Sequence, residues 1–204
     1  MGTVTCGMAV SLDGYAAAPD QSLESPIGVD GVEKLMKPWM FDEAGQHDAE
    51  IASLTNAGAY VMGRNMYGPV RGGWEDDERF LDWRGWWGED PPYHAPVFVL
   101  THHPHESIEM EGGTTFHFVT QGVEAALQRA QCAAGDRPVE VSGGASTVNQ
   151  FLAAGLIDEL SLHVVPRTLG GGERLFEGVG PLELELLSSR VTPSVMHLRY
   201  RVLR

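Results

Sequence analysis

The stretch Val139–Phe176 constrains the fold more than any other part of the chain. It predicts a strand, a glycine turn, a helix, a second strand and a glycine-rich loop, in that order. The glycine pair lets the backbone turn sharply, and Ser146 or Thr147 can cap the helix that follows. Such a turn leaves unpaired N–H groups at a helix N-terminus, where the helix dipole favours an anion such as phosphate. An ordinary strand-to-helix connection is the alternative.

Two further strands end in groups that suit an anion. The buried strand Ala59–Met62 runs into Gly63 and Arg64, and a helix can start near Asn65. Arginine binds phosphate oxygens through its planar guanidinium. The strand in VFVLTHHP ends in a threonine and two histidines at 101–103. Because ligands of open α/β sheets lie outside the carboxyl ends of the strands, the three ends together suggest one extended, multiply phosphorylated ligand.

Five motifs resemble those of a known family in their order and spacing. They are MAVSLDGYAA (Met8–Ala17), VMGRNMY (Val61–Tyr67), VLTHHP (Val99–Pro104), VSGGASTVNQFL (Val141–Leu152) and DELSLHVVPRTLGGGERLF (Asp158–Phe176). The resemblance is to the dihydrofolate-reductase-like superfamily, most of all to the branch that includes the reductase domain of the bifunctional riboflavin-biosynthesis deaminase-reductase. It implies a single domain over residues 1–204. The implied fold is a three-layer α/β fold with a mostly parallel central sheet, an antiparallel C-terminal hairpin and helices on both faces.

The resemblance also implies a site for NADPH. The residues that would border the nicotinamide are Leu12, Asp13, Gly14, Leu169 and Gly170. In the second motif, the residues that would contact the pyrophosphate and the adenosine phosphate are Gly63, Arg64, Asn65 and Met66. Those that would lie near the 2′-phosphate are Thr101, His102 and His103. Those that would hold the pyrophosphate at a helix N-terminus are Ser142, Gly143, Gly144, Ala145, Ser146, Thr147 and Val148.

The proton donor is the least determined part of the implied site. Folate enzymes of this superfamily carry a carboxylate on the helix before the VMGR strand, and counting back from Gly63 without gaps places His47 there. A register shifted by one residue gives the role to Asp48. Histidine titrates near neutral pH, and a buried aspartate can hold ring N–H groups by charge-assisted hydrogen bonds. Asp48 can equally serve only to start the helix, where acidic residues are favoured.

The segment Arg71–His94 departs most from the family pattern. It holds four of the five tryptophans, and its glycines and the Pro91-Pro92 pair predict loops. One interpretation is a lid or a subunit interface, since tryptophan is enriched in both. The other is a surface excursion that packs its own aromatic side chains on the domain. NMYGPVRGGW replaces the acidic motif of the riboflavin reductases, and the zinc deaminase signature is absent, so the substrate need not be the riboflavin intermediate.

Charge and cysteine content limit the partners of the chain. The net charge of −14 argues against nucleic acid and against anionic membranes. Cys6 is predicted to be a buried thiol and, with Cys132, fits a reducing cytoplasm rather than a disulfide framework. The histidines at 102, 103 and 105 are too tightly clustered for a tetrahedral site, so we predict no metal. Family members are commonly dimers, and analogy therefore predicts a homodimer.

These observations predict an NADPH-dependent reductase that passes a hydride to a small planar heterocycle of the pterin, folate or pyrimidine type. A true dihydrofolate reductase is the nearest alternative. A second alternative is an NADP-binding sensor or partner protein that has lost catalysis. This second alternative is favoured if no acid or histidine at positions 47–50 lines a pocket beside the nicotinamide. A structural oligomer whose glycine turns are only connections would bind no nucleotide at all.

Overall fold

The computed structural model describes residues 2–69, 72–80 and 82–203. In these residues the strands are β1 (Val4–Ser11), β2 (Tyr15–Ala17), β3 (Ala59–Gly63), β4 (Pro96–Leu100), β5 (Ile108–Glu109), β6 (Thr115–Val119), β7 (Val139–Val141), β8 (Glu159–Val165), β9 (Glu173–Arg174), β10 (Glu183–Val191) and β11 (Met196–Leu203). The α-helices are α1 (Gly31–Leu35), α2 (Asp48–Thr55), α3 (Arg64–Tyr67), α4 (Val123–Ala134) and α5 (Ala145–Ala153). A π-helical turn occupies Lys37–Asp42, and 3-10 turns lie at Ala44–Gln46, Glu78–Phe80 and Glu111–Gly113. None of the helices in the described ranges combines the length and the apolar character needed to cross a membrane.

One nine-stranded sheet organises the fold, in the order β10-β11-β8-β1-β7-β3-β4-β6-β5. The six strands from β8 to β6 in this order run parallel to one another. At one edge, β11 runs antiparallel to β8, and β10 runs antiparallel to β11. At the other edge, β5 runs antiparallel to β6. A separate small sheet pairs β2 with β9. The predicted α/β fold, with its mostly parallel sheet and antiparallel C-terminal hairpin, is confirmed.

Apolar side chains fill both faces of the sheet, as the central strand β3 illustrates. All five of its residues are buried, which is typical of a parallel strand that is covered on both sides. Successive side chains point to opposite faces. Ala59 and Val61 accordingly belong to one core cluster with residues of α4 and α5, whereas Tyr60 and Met62 belong to a second cluster. The predicted burial of Cys6 is also confirmed, because its thiol lies in the first cluster.

Several element boundaries follow the sequence closely, but the predicted cap of α5 is wrong. Helix α5 begins at Ala145, its N-cap is Gly144 in an extended conformation, and no side chain caps it. Ser146 and Thr147 lie inside the first turn instead. The Thr147 hydroxyl packs toward β3, where a Cβ built on Gly63 would lie 2.2 Å from it. Close packing against Gly63 therefore fixes this side chain in place of a capping bond.

The tryptophan-rich segment packs its aromatic rings on the domain. Trp74 is buried in the second core cluster, and Trp83 and Trp87 lie against it. This agrees with the interpretation of a surface excursion, while a role as a lid or at a subunit interface stays a prediction. Two residues of the segment, Arg71 and Leu81, lie outside the described residues.

Gly172 brings the loop before β9 against the end of β2. Its φ is +117°, and a Cβ there would lie 2.0 Å from the Ala17 carbonyl oxygen. Gly178 also has a positive φ, but no atom lies within 4 Å of a Cβ built on it. We expect Gly172→Ala to lower the midpoint of urea unfolding much more than Gly178→Ala, which carries only the roughly 1–2 kcal/mol cost of a left-handed alanine. Equal losses in the two variants would contradict a structural role for the contact with Ala17.

Candidate active site

A cavity of about 880 Å³ opens at the carboxyl ends of the parallel strands. One set of lining residues, the strand-end group, follows β3, β4 and β7: Gly63, Arg64, Asn65, Met66, Thr101, His102, His103, Ser142, Gly143, Gly144, Ala145, Ser146 and Thr147. Another set, the strand-interior group, comes from the body of the sheet and from the segment around α2: Gly7, Trp39, Leu54, Glu140 and His163. The three strand ends that the sequence singled out therefore meet around one space.

The N-terminus of α5 presents free backbone donors to the cavity. In the part of the chain that the structure describes, the N–H groups of Gly144, Ala145 and Ser146 donate to no other group. The Ser142 hydroxyl is buried and also has no partner among the described residues. Helix α5 is nine residues long, so its dipole adds a positive potential at this end. Free donors and dipole together suit phosphate oxygens.

Arg64 adds a guanidinium with two unused donor atoms. Its Nη1 donates to the Gly72 carbonyl at 2.6 Å, and its guanidinium carbon lies 3.8 Å from the centre of the Trp74 ring. Its Nε and Nη2 are buried and have no partner within the described ranges. Burial lowers the pKa of Arg64, and the nearby Asp76 carboxylate opposes that shift. Because an unsatisfied buried donor costs about 1–3 kcal/mol, an anion that accepts from Nε and Nη2 would stabilise the site.

The residues after β4 differ in how available their polar groups are. The Thr101 hydroxyl is used locally, since it accepts the His103 N–H at 3.1 Å and donates to the His103 carbonyl at 3.3 Å. That carbonyl also accepts the Trp74 indole N–H at 2.8 Å. The His102 side chain is exposed, and the described residues give its imidazole no hydrogen-bond partner. The bonds of His103 involve only its backbone, so its imidazole is also free among the described residues. Both histidines can therefore meet a further phosphate, and His102 is the more exposed of the two.

The chain matches the family model of the RibD C-terminal domain over residues 2–198. It belongs to the RibD C-terminal domain family. Its fold is similar to that of a protein from Shewanella sp. PV-4 described as a riboflavin biosynthesis protein, at 25% identity over 99% of each chain and a TM-score of 0.65. No protein among the curated sequences matches the chain.

Two other solved structures with a similar fold are named enzymes. One is a diaminohydroxyphosphoribosylaminopyrimidine deaminase/5-amino-6-(5-phosphoribosylamino)uracil reductase from Thermotoga maritima, at 17% identity and a TM-score of 0.58 over 99% of this chain. The chain spans 57% of that protein. The other is a dihydrofolate reductase from Enterococcus faecalis complexed with NADP(H) and RAB-propyl, at 16% identity and a TM-score of 0.56 over 98% of this chain and 96% of that one. The resemblance predicted from the five motifs is confirmed.

Within the RibD-family fold, the strand-interior group surrounds Gly7 of β1. A Cβ built on Gly7 would lie 2.3 Å from Leu54 Cδ2, 3.4 Å from Glu140 Oε1 and 3.8 Å from His163 Nε2. The absence of a side chain at this position therefore lets Leu54 of α2 pack onto β1, beside a carboxyl group and an imidazole. His163 Nε2 is buried and, within the described ranges, makes no hydrogen bond.

Glu140 is a carboxyl group buried in the centre of the sheet, on β7 between β1 and β3. Its oxygens accept the Gly7 N–H at 2.6 Å and the hydroxyl of Thr5. Burial raises the pKa of Glu140 to about 7, although both hydrogen bonds oppose the shift. A carboxyl group with such a pKa can give up or take a proton near neutral pH, which general acid–base catalysis requires.

The two predicted proton donors, His47 and Asp48, do not line the cavity. His47 is fully buried just before α2, and His197 separates it from His163. Asp48 is exposed in the first turn of α2, as expected if it only starts the helix. A direct catalytic role for either residue stays a prediction.

Six predicted cofactor residues also lie away from the cavity wall: Leu12, Asp13, Gly14, Val148, Leu169 and Gly170. The Asp13 carboxylate joins two loops, because it accepts the N–H of Leu169 at 3.0 Å and that of Gly170 at 2.8 Å. The Ser11 hydroxyl and these N–H groups lower the pKa of Asp13 to about 2. This carboxylate already has its partners within the protein. Contact of Val148 with the pyrophosphate, and of the other five residues with the nicotinamide, stays a prediction.

One group of side chains has the composition of a metal site. Donor atoms of His47, Glu50 and His197 lie within 4.8 Å of one another. The guanidinium of Arg190 occupies the same place, with its Nε 2.7 Å from Glu50 Oε1 and its Nη2 2.8 Å from His47 Nδ1. Because an arginine already neutralises this carboxylate, the cluster gives no reason to change the prediction of no metal.

Sequence reasoning did not single out Glu140, His163 or Arg190. For Glu140 a signal was present, since a carboxylate stands in the middle of a short run of valines that reads as a buried strand. For His163 and Arg190 no local signal existed. Their importance depends on the pairing of β8, β11 and β10, which periodicity within one strand does not reveal.

The raised pKa of Glu140 predicts a distinct dependence of stability on pH. The folded state holds this proton more tightly than the unfolded state, so ionising Glu140 costs stability as the pH rises from about 4.5 to about 7. Glu140→Gln retains an acceptor for Gly7 and a donor for Thr5. We expect its free energy of unfolding, relative to wild type, to increase over this range by up to roughly 3 kcal/mol and then to level off.

Urea unfolding at pH 5, 6, 7 and 8 checks this expectation, with Glu183→Gln as a control because Glu183 is exposed. The same difference between Glu140→Gln and wild type at all four pH values would contradict a pKa near 7.

Proposed function

We propose that this RibD-family chain is an NADPH-dependent reductase that transfers a hydride to a C=N or C=O group of a compound that contains a pyrimidine-type or pterin-type ring. The observation that carries the proposal is the convergence of unpartnered Arg64 donors and free α5 N–H groups on one cavity. NADPH would supply the hydride, while the residues of the chain bind the cofactor, orient the ring and provide a proton.

The number and position of the anion-binding groups favour NADPH over NADH. The N–H groups of α5 suit a pyrophosphate, and Arg64 and His102 follow the adjacent strands β3 and β4. A chain with a net charge of −14 has to bind an anion through such local donors. The 2′-phosphate of NADPH would give these two side chains a partner that NADH lacks.

The ring class is proposed from the family and from the strand-interior group. The similar T. maritima protein is named as a uracil-derivative reductase, and the similar E. faecalis protein is a dihydrofolate reductase. Both names describe the reduction of nitrogen-containing ring compounds. Glu140, with its pKa near 7 and its place in the cavity wall, supports a proton transfer that accompanies the hydride.

Isotope transfer tests the proposed reaction. The purified chain is incubated with NADPH deuterated at nicotinamide C4 and either 5-amino-6-(5-phosphoribosylamino)uracil or dihydrofolate, and the products are analysed by mass spectrometry. We expect one deuterium in the reduced uracil derivative. Transfer to dihydrofolate alone would favour a dihydrofolate reductase. NADPH binding without transfer to either ring would favour the catalytically silent alternative, and no binding would overturn the proposal.

Arg64 provides a test of the cofactor preference. Because hydrogen bonds between charged groups contribute about 1.5–3 kcal/mol each, Arg64→Ala should weaken NADPH binding by at least roughly tenfold. The loss for NADH should be smaller. Isothermal titration calorimetry measures both affinities, with Arg199→Ala as a control because Arg199 is exposed and paired with Glu159. Equal losses for the two nucleotides would remove the 2′-phosphate role of Arg64.

A further inference from the structure

A row of polar side chains crosses three strands at one edge of the cavity. In the sheet register, Arg190 of β10 pairs with His197 of β11, and His197 pairs with His163 of β8. Directly paired residues point to the same face of a sheet, so these three side chains lie side by side. His47, just before α2, reaches the same row from outside the sheet.

The three histidines contact one another through their ring nitrogens. His163 Nδ1 lies 2.7 Å from His197 Nδ1, and His197 Nε2 lies 2.8 Å from His47 Nδ1. Arg190 Nη2 lies 2.8 Å from the same His47 Nδ1. At the other end, His163 lines the cavity, and its Nε2 lies on the Gly7 side with no partner in the described ranges. The row therefore connects Arg190 to the wall of the cavity.

His163 and His197 are neutral at physiological pH. The buried Trp39 packs on both rings, with centroid distances of 4.7 Å and 5.3 Å. Burial lowers the pKa of His163 to about 3 and that of His197 to about 4. The charged or titratable groups that face the row are Glu50, bound by Arg190, Glu43 beside His47, and Glu140 beside Gly7.

Arg190 sets the direction of the hydrogen bonds along the row. Its Nη2 shares two hydrogens among Glu50 Oε2, the Gln46 carbonyl and His47 Nδ1. A guanidinium can only donate, and a proton on His47 Nδ1 would point at its N–H groups, so His47 Nδ1 is an acceptor and carries no proton. The contact from His197 Nε2 to that atom is therefore a donated N–H. Neutral imidazole holds one proton, so His197 Nδ1 accepts, and His163 Nδ1 donates to it. His163 Nε2 is left as a lone pair at the cavity wall.

We propose that His163 Nε2 accepts a hydrogen bond from a ring N–H of the substrate, and that His197, His47 and Arg190 are positioning residues that hold His163 in this tautomer. The assignment rests on the proposed function, since it concerns the ring that the reductase would bind.

Chemical selectivity follows from the bare lone pair. A buried acceptor without a partner is unfavourable, and a ring edge that carries an N–H, as in a uracil-type ring, satisfies it. A ring that offers only a lone pair at this point would place it against the lone pair of His163 Nε2. The two lone pairs repel each other, so such a ring would be rejected. His163 therefore selects the N–H edge of the ring.

Nitrogen NMR of the full chain, labelled with ¹⁵N-histidine, tests the tautomer without any ligand. The His163 Nε2 signal, identified by its loss in His163→Gln, should have the chemical shift of an unprotonated imidazole nitrogen from pH 6 to pH 8. Arg190→Ala should move it toward the protonated value, because both tautomers become available, and the control Arg199→Ala should leave it unchanged. A protonated Nε2 in wild type, or no change in Arg190→Ala, would overturn the role of the row.

Calorimetric titration with 5,6-diaminouracil in the presence of NADP⁺ tests the contact itself. His163→Leu removes the acceptor and should weaken binding of this probe by at least roughly tenfold, whereas His163→Gln retains an acceptor and should lose less. Affinity for NADPH should be the same in wild type and both variants. Equal probe affinity in wild type and His163→Leu, or no probe binding by wild type, would overturn the contact. Failure of wild type to bind NADPH would instead count against the proposed function. The NMR experiment uses no ligand, so its result does not depend on nucleotide binding.

Discussion

The contact between Gly63 and the first turn of α5 is the constraint on which the site depends. The Gly63 N–H donates to the Gly143 carbonyl at 2.7 Å, and the Ser142 N–H donates to the Val61 carbonyl at 2.9 Å. A side chain at Gly63 would collide with the Thr147 hydroxyl. With only a hydrogen at that position, β3 and β7 end side by side, and the arginine after β3 lines the same cavity as the free N–H groups of α5. The anion-binding character of the cavity follows from this one close approach.

The chemistry of the strand-interior group depends on burial. Taking a carboxyl group and an imidazole out of water disfavours their charged forms, which raises the pKa of Glu140 and lowers that of His163. Each has local partners that make the burial tolerable: Thr5 and Gly7 for the carboxyl group, and His197 for the imidazole. The sheet thus presents a carboxyl group with a pKa near 7 and a neutral imidazole on the two sides of Gly7, whose missing side chain leaves room for Leu54. Rigid strands hold both groups, which suits the orientation of a planar ring.

The strand-end group could be predicted from the sequence because each of its parts is a local motif. A glycine followed by Arg64, or a glycine pair before a helix, is recognisable within ten residues. The strand-interior group could not be predicted in the same way. His163, His197 and Arg190 are brought together by the order and register of β8, β11 and β10, which the residue pattern within a single strand does not reveal. The ungapped count that selected His47 reached the right region but not the residue at the cavity wall, because His197 stands between.

A crystal structure of the chain with NADP⁺ tests the central claim most directly. We expect the pyrophosphate within hydrogen-bonding distance of the N–H groups of Gly144, Ala145 and Ser146, with the 2′-phosphate at Arg64 Nε and Nη2. We also expect the nicotinamide on the side of the cavity where Gly7 and His163 lie. Nucleotide bound elsewhere on the protein, or bound in the cavity with its phosphates away from α5 and Arg64, would contradict it.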